Sequence, residues 1–235
     1  RWPASASPGR HGGAERVGSM IEFALAFAVF LASHSLPTRP PVRRHLVAAL
    51  GERPFQLAYS LASLALLAWL ISAAQRAPYV ALWPPALWQW HVTLTVMPVA
   101  FVLIAVGLAV PNPLSVSVRR APADWAPGDL LRVVRHPLLW GLALWGAAHA
   151  LPNGDLALVL LFDGLAAFSL ARIPLVERRR RRELGPDRYA ELAAARTGYR
   201  DLVGQALAAA SGLVLFAVLL LLHPWLFGVD PLAPL

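Results

Sequence analysis

The sequence contains no cysteine and few charged residues. Its 235 residues are 14% charged and 57% hydrophobic, whereas an ordinary soluble domain is about 25% charged. A water-soluble fold of this size cannot bury so much apolar surface, which excludes a soluble enzyme, and the abundance of Leu and Val excludes a disordered chain. Without cysteine there are no disulfides, thiolate metal sites or cysteine nucleophiles.

Long apolar runs predict an all-α, polytopic membrane protein. A helix needs about 20 apolar residues to cross a bilayer, and we identify six candidate spans, at residues 21–36, 55–75, 92–110, 137–151, 155–172 and 206–227. The turn at residues 152–155 links the fourth and fifth spans, with Asp155 as the N-cap of the fifth. Residues 173–205 are too polar to span and are predicted as a basic helical segment at the cytoplasmic membrane face.

Lysine is also absent, so all 21 basic residues are arginine and the formal net charge is +8. Of these, 16 lie in the three loops that follow the odd-numbered spans, and a seventeenth, Arg172, is the last residue of the fifth span. Basic residues concentrate on the cytoplasmic side of membrane proteins, so we expect these loops in the cytoplasm. The positive charge therefore indicates how the chain is oriented in the membrane, and it predicts contact with membrane lipid. No nucleic acid partner is expected.

The polar ends of the chain are predicted to lie outside the membrane domain. Residues 1–19 precede Met20 and lack a long apolar run, which is typical of a disordered leader or of a start assigned too early. Residues 20–227 form the predicted transmembrane domain, and residues 228–235 a short tail.

Three histidines stand out in the apolar runs. His34 lies in the first span, His136 at the start of the fourth, and His149 near the other end of the fourth. Ionisable residues within spans are costly and usually functional, and neutral imidazole is the commonest metal ligand. Without cysteine, histidine is the expected axial ligand of a haem. The alternative is that each histidine only hydrogen-bonds a neighbouring helix.

Asp163 interrupts the fifth span about 12 Å beyond Asp155 along a helix, near the middle of the membrane. A carboxylate there must be protonated or paired. We interpret Asp163 as a catalytic candidate, in contact with a proton or a substrate, and a buried hydrogen bond is the alternative.

Three stretches carry a family resemblance: SHSLPTRPPVRRHLVAALGERPFQLAYSLASLALLAWL, RVVRHPLLWGLALWGAAHALPNGD and LFDGLAAFSLARIPLVERRRRRELG. With them the chain resembles the NnrU family of bacterial integral membrane proteins over most of residues 20–200. The resemblance implies a location in the bacterial inner membrane and a role in denitrification, the handling of nitrite and nitric oxide.

The 15-cis-zeta-carotene isomerases are similar to that family, and they imply haem b held by histidines at the positions of His34 and His149. Ser33 and Ser35 are then expected to orient the His34 imidazole through hydrogen bonds. The isomerases carry a cysteine three residues before the second histidine, where this chain has Gly146. They also imply an isomerase-like redox reaction on a hydrophobic small molecule.

The pairing of the histidines stays open. Along a straight helix His149 lies about 19–20 Å from His136. That geometry favours His34 with His136 as the two ligands of one iron, whereas the resemblance favours His34 with His149. Ligation by a single histidine is a third alternative.

A more distant resemblance, to isoprenylcysteine carboxyl methyltransferases, implies another function. Arg135, His136 and Pro137 match an RHP motif of those enzymes, although Leu139 replaces an expected aromatic residue. Three residues loosely match their downstream segment: Glu177, Gly185 and Tyr189. This alternative makes the protein an S-adenosylmethionine-dependent methyltransferase of a lipid-like substrate, with Arg135 in its active site. A third alternative is a non-catalytic assembly factor for a respiratory reductase.

Overall fold

The computed structural model describes residues 12–37, 39–119, 121, 125, 129–194 and 202–233. The predictions for residues 1–11 of the leader, for Arg120, Arg196 and Arg200, and for the last two residues of the tail lie outside this part of the chain.

The described residues form α-helices and no β-strand. In chain order they are α1 (Gly12–Ser35), α2 (Pro40–Leu50), α3 (Glu52–Arg76), α4 (Leu87–Ala109), α5 (Asp129–Val133), α6 (Pro137–Asn153), α7 (Leu156–Leu184), α8 (Pro186–Ala194) and α9 (Leu202–Phe227). The all-α fold class is confirmed.

Five of these helices are long and apolar enough to cross a membrane: α1 from Arg16 onward, α3, α4, α7 and α9. They confirm a polytopic membrane protein. The fourth predicted span corresponds to α6, which has 17 residues and is therefore about 25 Å long. That length is at the lower limit for crossing the hydrocarbon layer, so α6 is an apolar helix shorter than the five candidate spans.

The start of α1 and the end of α7 differ from the predicted bounds of the first and fifth spans. Helix α1 begins at Gly12, so residues 12–19 continue the first helix. Helix α7 has 29 residues and runs on to Leu184, so the first part of the basic segment extends the fifth span. The chain then turns at Gly185, whose φ is +81°, and α8 follows.

The chain divides into two compact units, and the first comprises residues 1–82 and 155–161. In it α1 packs against α3. Glu22 of α1 accepts hydrogen bonds from Trp69 Nε1 (3.1 Å) and Arg76 Nη2 (2.6 Å) of α3. This contact gives Arg76, the arginine at the end of the second predicted span, an ionic partner.

Asp155 caps α7 as predicted. Its Oδ2 accepts a hydrogen bond from the N–H of Leu158 (3.4 Å), the third residue of the helix. Its Oδ1 accepts one from the N–H of Val80 (2.9 Å). The same carboxylate therefore caps the helix and anchors the segment after α3.

The second unit comprises residues 83–154 and 162–235, and in it α4 packs against both α6 and α9. Glycines permit the close approach. A Cβ added to Gly141 of α6 would lie 2.8 Å from the carbonyl oxygen of Ala100, and one added to Gly212 of α9 would lie 2.6 Å from that of Phe101. Small residues at such crossings are typical of membrane proteins, where helices associate mainly by close packing.

Candidate functional site

His34 lies in the first unit, in the last turn of α1. Its Nδ1 donates a hydrogen bond to the carbonyl oxygen of Phe30 (3.1 Å), and the two rings lie 4.1 Å apart. Ser33 Oγ is 3.4 Å from the same Nδ1 and donates to the same carbonyl (2.8 Å). Ser33 therefore lies beside the imidazole, and the expected role of Ser35 stays a prediction.

His149 lies in the second unit, near the end of α6. Its Nδ1 donates to the carbonyl oxygen of Trp145 (2.9 Å), so in the neutral ring the lone pair is on Nε2. No hydrogen bond to this Nε2 occurs within the described residues. The rings of Trp145 and Phe162 lie 4.9 and 5.0 Å from the imidazole. A backbone carbonyl that fixes Nδ1–H is the usual way in which proteins orient a metal-ligating histidine.

His45 shows that this contact is not specific by itself. Its Nδ1 donates to the carbonyl oxygen of Pro41 (2.7 Å) on the exposed helix α2, without a ring contact within the described part of the chain. The aromatic side chains and the apolar helix around His149 are what distinguish it from His45.

His136 is held by the protein at both ring nitrogens. Ser115 Oγ donates to Nδ1 (2.8 Å), and Nε2 donates to Glu177 Oε1 (3.3 Å). Only 3% of the residue is exposed. Burial lowers the pKa of His136, and the carboxylate of Glu177 partly opposes this shift. The neutral ring therefore satisfies both partners, and a metal would have to displace one of them.

Arg135 completes a polar cluster, which we call the RHP cluster: Ser115, Arg135, His136, Glu177 and Tyr189. Arg135 Nη1 donates to Glu177 Oε1 (3.1 Å) and lies 3.4 Å from the Tyr189 hydroxyl. The cluster joins the segment before α6 to α7 and α8. It brings together the residues that the methyltransferase resemblance named.

Sequence reasoning missed the polar residues that support this cluster. Asn112 Nδ2 donates to the carbonyl oxygen of Arg135 (2.9 Å), and Ser115 contacts His136. Both are buried. One feature of the sequence could have indicated this role. Asn112 lies between Pro111 and Pro113, directly after an apolar run, where a polar side chain tends to hydrogen-bond to the backbone.

Asp163 is exposed on α7, and it makes no hydrogen bond or ion pair with the rest of the described chain. The alternative of a buried hydrogen bond is therefore wrong. The role in proton or substrate contact stays a prediction.

Gly146 lies where α6 meets α7 in the second unit. A Cβ added there would lie 2.5 Å from the carbonyl oxygen of Phe162 and 3.1 Å from the Cβ of Ala166. A larger side chain, such as that of cysteine, does not fit at this position with the helices as they are.

The candidate ligands are distributed over the two units. His34 belongs to the first, and His136 and His149 belong to the second. Because His136 and His149 are about 19–20 Å apart along the helix, they do not bind one iron together. Within the described residues no three His, Asp or Glu side chains form a metal-binding group.

Together these observations define a polytopic, all-α membrane protein with histidines in or beside its apolar helices. The family model of the NnrU protein matches residues 22–231, and the chain belongs to the NnrU family. No curated protein and no solved structure matches the chain.

Proposed function

We propose that this NnrU-family protein binds haem b through His149. The observation that supports it is the fixed tautomer of this histidine: Trp145 accepts the Nδ1 proton at 2.9 Å, which leaves Nε2 as the acceptor nitrogen. The rings of Trp145 and Phe162 lie beside the imidazole, and such aromatic surroundings are suited to a planar apolar ligand.

The family resemblance names His34 as a further candidate ligand. Its Nδ1 proton is also held by the carbonyl oxygen of an aromatic residue four positions earlier, Phe30. Bound haem b would supply one-electron redox chemistry. That chemistry suits a role in nitrite and nitric oxide metabolism, or an isomerase-like reaction on a hydrophobic substrate.

The test is the absorption spectrum of the full chain, purified from membranes of cells supplied with a haem precursor. We expect a Soret band that is lost in His149→Ala and is shifted or weakened in His34→Ala. The matched control is His45→Ala, because His45 makes the same Nδ1 contact on an exposed helix and its variant should keep the band. The proposal is refuted if no Soret band forms, or if His149→Ala leaves the band unchanged.

The RHP cluster favours one other candidate function, that of an S-adenosylmethionine-dependent methyltransferase. Its support is the convergence of Arg135, Glu177 and Tyr189, which are distant in sequence. A guanidinium in such a cluster is suited to a carboxylate ligand, such as that of S-adenosylmethionine.

Calorimetry distinguishes this candidate. Binding of S-adenosylmethionine should be lost in Arg135→Ala and kept in Arg188→Ala, since Arg188 forms an exposed ion pair with Glu191 elsewhere on α8. No binding to the folded wild-type protein would count against a methyltransferase and would leave the haem proposal intact.

A further inference from the structure

A second histidine of the second unit, His223, has the same hydrogen-bond arrangement as His149. It lies near the end of α9, and its Nδ1 donates a hydrogen bond to the carbonyl oxygen of Val229 (2.7 Å). In the neutral ring the lone pair is therefore on Nε2, as it is in His149. No hydrogen bond to either Nε2 occurs within the described residues. Each histidine thus has its Nδ1 proton held by a backbone carbonyl, which is how proteins orient a metal-ligating imidazole.

The two histidines follow residues that meet in one hydrophobic cluster. Helices α6 and α9 both pack on α4, and the three helices share a cluster of Val96, Met97, Phe101, Trp145, Ala148, Phe216 and Leu219. Trp145 belongs to α6 and Leu219 to α9. His149 and His223 each lie four residues further along, and residues four apart lie on the same face of a helix. Each imidazole therefore lies one turn beyond the cluster.

Helix α6 runs antiparallel to α4. A Cβ added to Gly141, near the start of α6, would lie 2.8 Å from the carbonyl oxygen of Ala100. Further along α6, the carbonyl oxygen of Ala148 accepts a hydrogen bond from Thr93 Oγ1 (2.8 Å). The turn that carries His149 therefore lies beside the first two turns of α4.

Helix α9 runs in the same direction as α6. Ala208 packs in a cluster with Val106, whereas Leu219, further along α9, packs in the cluster that contains Met97. The partners of α9 thus move toward the start of α4, as those of α6 do. The ends of α6 and α9, with their histidines, therefore lie at the same end of the second unit.

The surroundings of the two imidazoles are also alike. A positive charge on His223 acts on His149, as expected for rings that lie near each other. The ring of Phe227 lies 4.8 Å from that of His223, and Trp145 and Phe162 lie beside His149. Two neutral imidazoles in aromatic surroundings fit the iron of a haem, which takes one or two axial ligands from a protein.

We propose that His223 is the second axial ligand of a haem bound through His149. This inference rests on the proposed function, since it requires haem b at His149. It takes both ligands from the second unit, whereas the family resemblance names His34, which belongs to the first unit. Two imidazole ligands give a low-spin ferric iron, and a single imidazole leaves it high-spin, so the spin state reports the second ligand.

The test is the electron paramagnetic resonance spectrum of the oxidised full chain loaded with haem. We expect a low-spin signal in the wild type and a high-spin signal in His223→Ala, which should keep a Soret band. Imidazole added to His223→Ala should restore the low-spin signal, which a purely structural role of His223 would not produce. The matched control is His91→Ala, because His91 is an exposed histidine near the start of α4, and this variant should stay low-spin.

Two further variants test the assignment. His223→Met should stay low-spin with a more positive reduction potential, because an axial methionine raises the potential of a haem. It replaces His223→Ala if the alanine variant is not monodisperse. In His34→Ala the haem that remains bound should keep the low-spin signal, even where the Soret band is weakened.

The assignment of His223 is overturned by a Soret band without a low-spin signal in the wild type, or by a low-spin signal that His223→Ala retains. A high-spin signal in His34→Ala also overturns it and gives the second position to His34. These results leave ligation by His149 intact. The absence of a Soret band from the wild type, in contrast, refutes the haem proposal itself.

Discussion

At the scale of single residues, Gly146 shows how closely α6 packs against α7, because it has no side chain at the contact. Its Cα approaches α7 so closely that an added methyl group would lie 2.5 Å from the Phe162 carbonyl oxygen. Phe162 also contacts the His149 ring. The packing of Gly146 therefore helps to set the surroundings of the histidine proposed to bind haem.

We expect Gly146→Ala to destabilise the protein by about 1–3 kcal/mol, because the new methyl group forces two helix backbones apart. The melting temperature in detergent measures the effect. Gly18→Ala is the control: Gly18 is also helical, but its added Cβ meets nothing within 4 Å. That variant should gain about 0.5–1 kcal/mol from helix propensity. Equal melting temperatures for both variants would contradict the close contact.

His136 predicts a pH dependence of stability. Because burial lowers its pKa in the folded protein, the unfolded chain binds a proton first as pH falls below about 6.5. The stabilisation from the neutral ring is complete above that pH and is lost as pH falls through the lower pKa of the folded state.

The measurement is the melting temperature of the wild type and of His136→Asn between pH 8 and pH 5. The wild-type advantage should be largest at pH 8 and should shrink toward pH 5. An advantage that grows toward acid would mean that the protonated ring is the stabilising form, paired with Glu177.

The sequence identified His136 as a candidate functional residue but did not identify its hydrogen-bond partners. Its partners Ser115 and Glu177 lie 21 and 41 positions away, and only the folded chain brings them together. The positions of the three histidines in the apolar runs could be read from the sequence. The hydrogen bonds to the two ring nitrogens of His136 could not, since no local spacing encodes them.

At the scale of elements, the helices follow from the apolar runs, but their ends do not. Helix α7 continues to Leu184, past the end of its apolar run, because its polar part has its own support: Glu183 pairs with Arg179 and Arg180 one turn earlier. Pairs at this spacing stabilise a helix in water. Hydropathy predicts where a span leaves the membrane, which is a different point from where its helix ends.

The start of α7 can be predicted from the sequence more precisely than its end, because the side chain of Asp155 caps the helix. We expect Asp155→Ala to cost about 1–2 kcal/mol, since it removes the acceptor for the Leu158 N–H and a typical cap contributes about that much. Asp155→Asn should cost less, because its amide oxygen still accepts. Thermal unfolding in detergent compares the two variants, and an Asn variant as unstable as the Ala variant would show that the negative charge, and not the cap, is essential.

At the scale of the whole molecule, the arginine distribution predicts how the chain crosses the membrane. Val133 is 83% exposed in the loop that follows the third span, and Leu82 is 46% exposed in the loop that follows the second. In this cysteine-free chain, a membrane-impermeant maleimide added to intact spheroplasts should label Leu82→Cys and spare Val133→Cys. Labelling of Val133→Cys should appear after permeabilisation, and the reverse pattern would invert the proposed orientation.

The continuity of α7 has a mechanical consequence. The helix runs without a break from Asp163 to Glu177, past Pro174, over about 21 Å. Glu177 is the carboxylate that Arg135 and His136 share. A tilt of α7 near Asp163 would therefore also displace the carboxylate that Arg135 and His136 share.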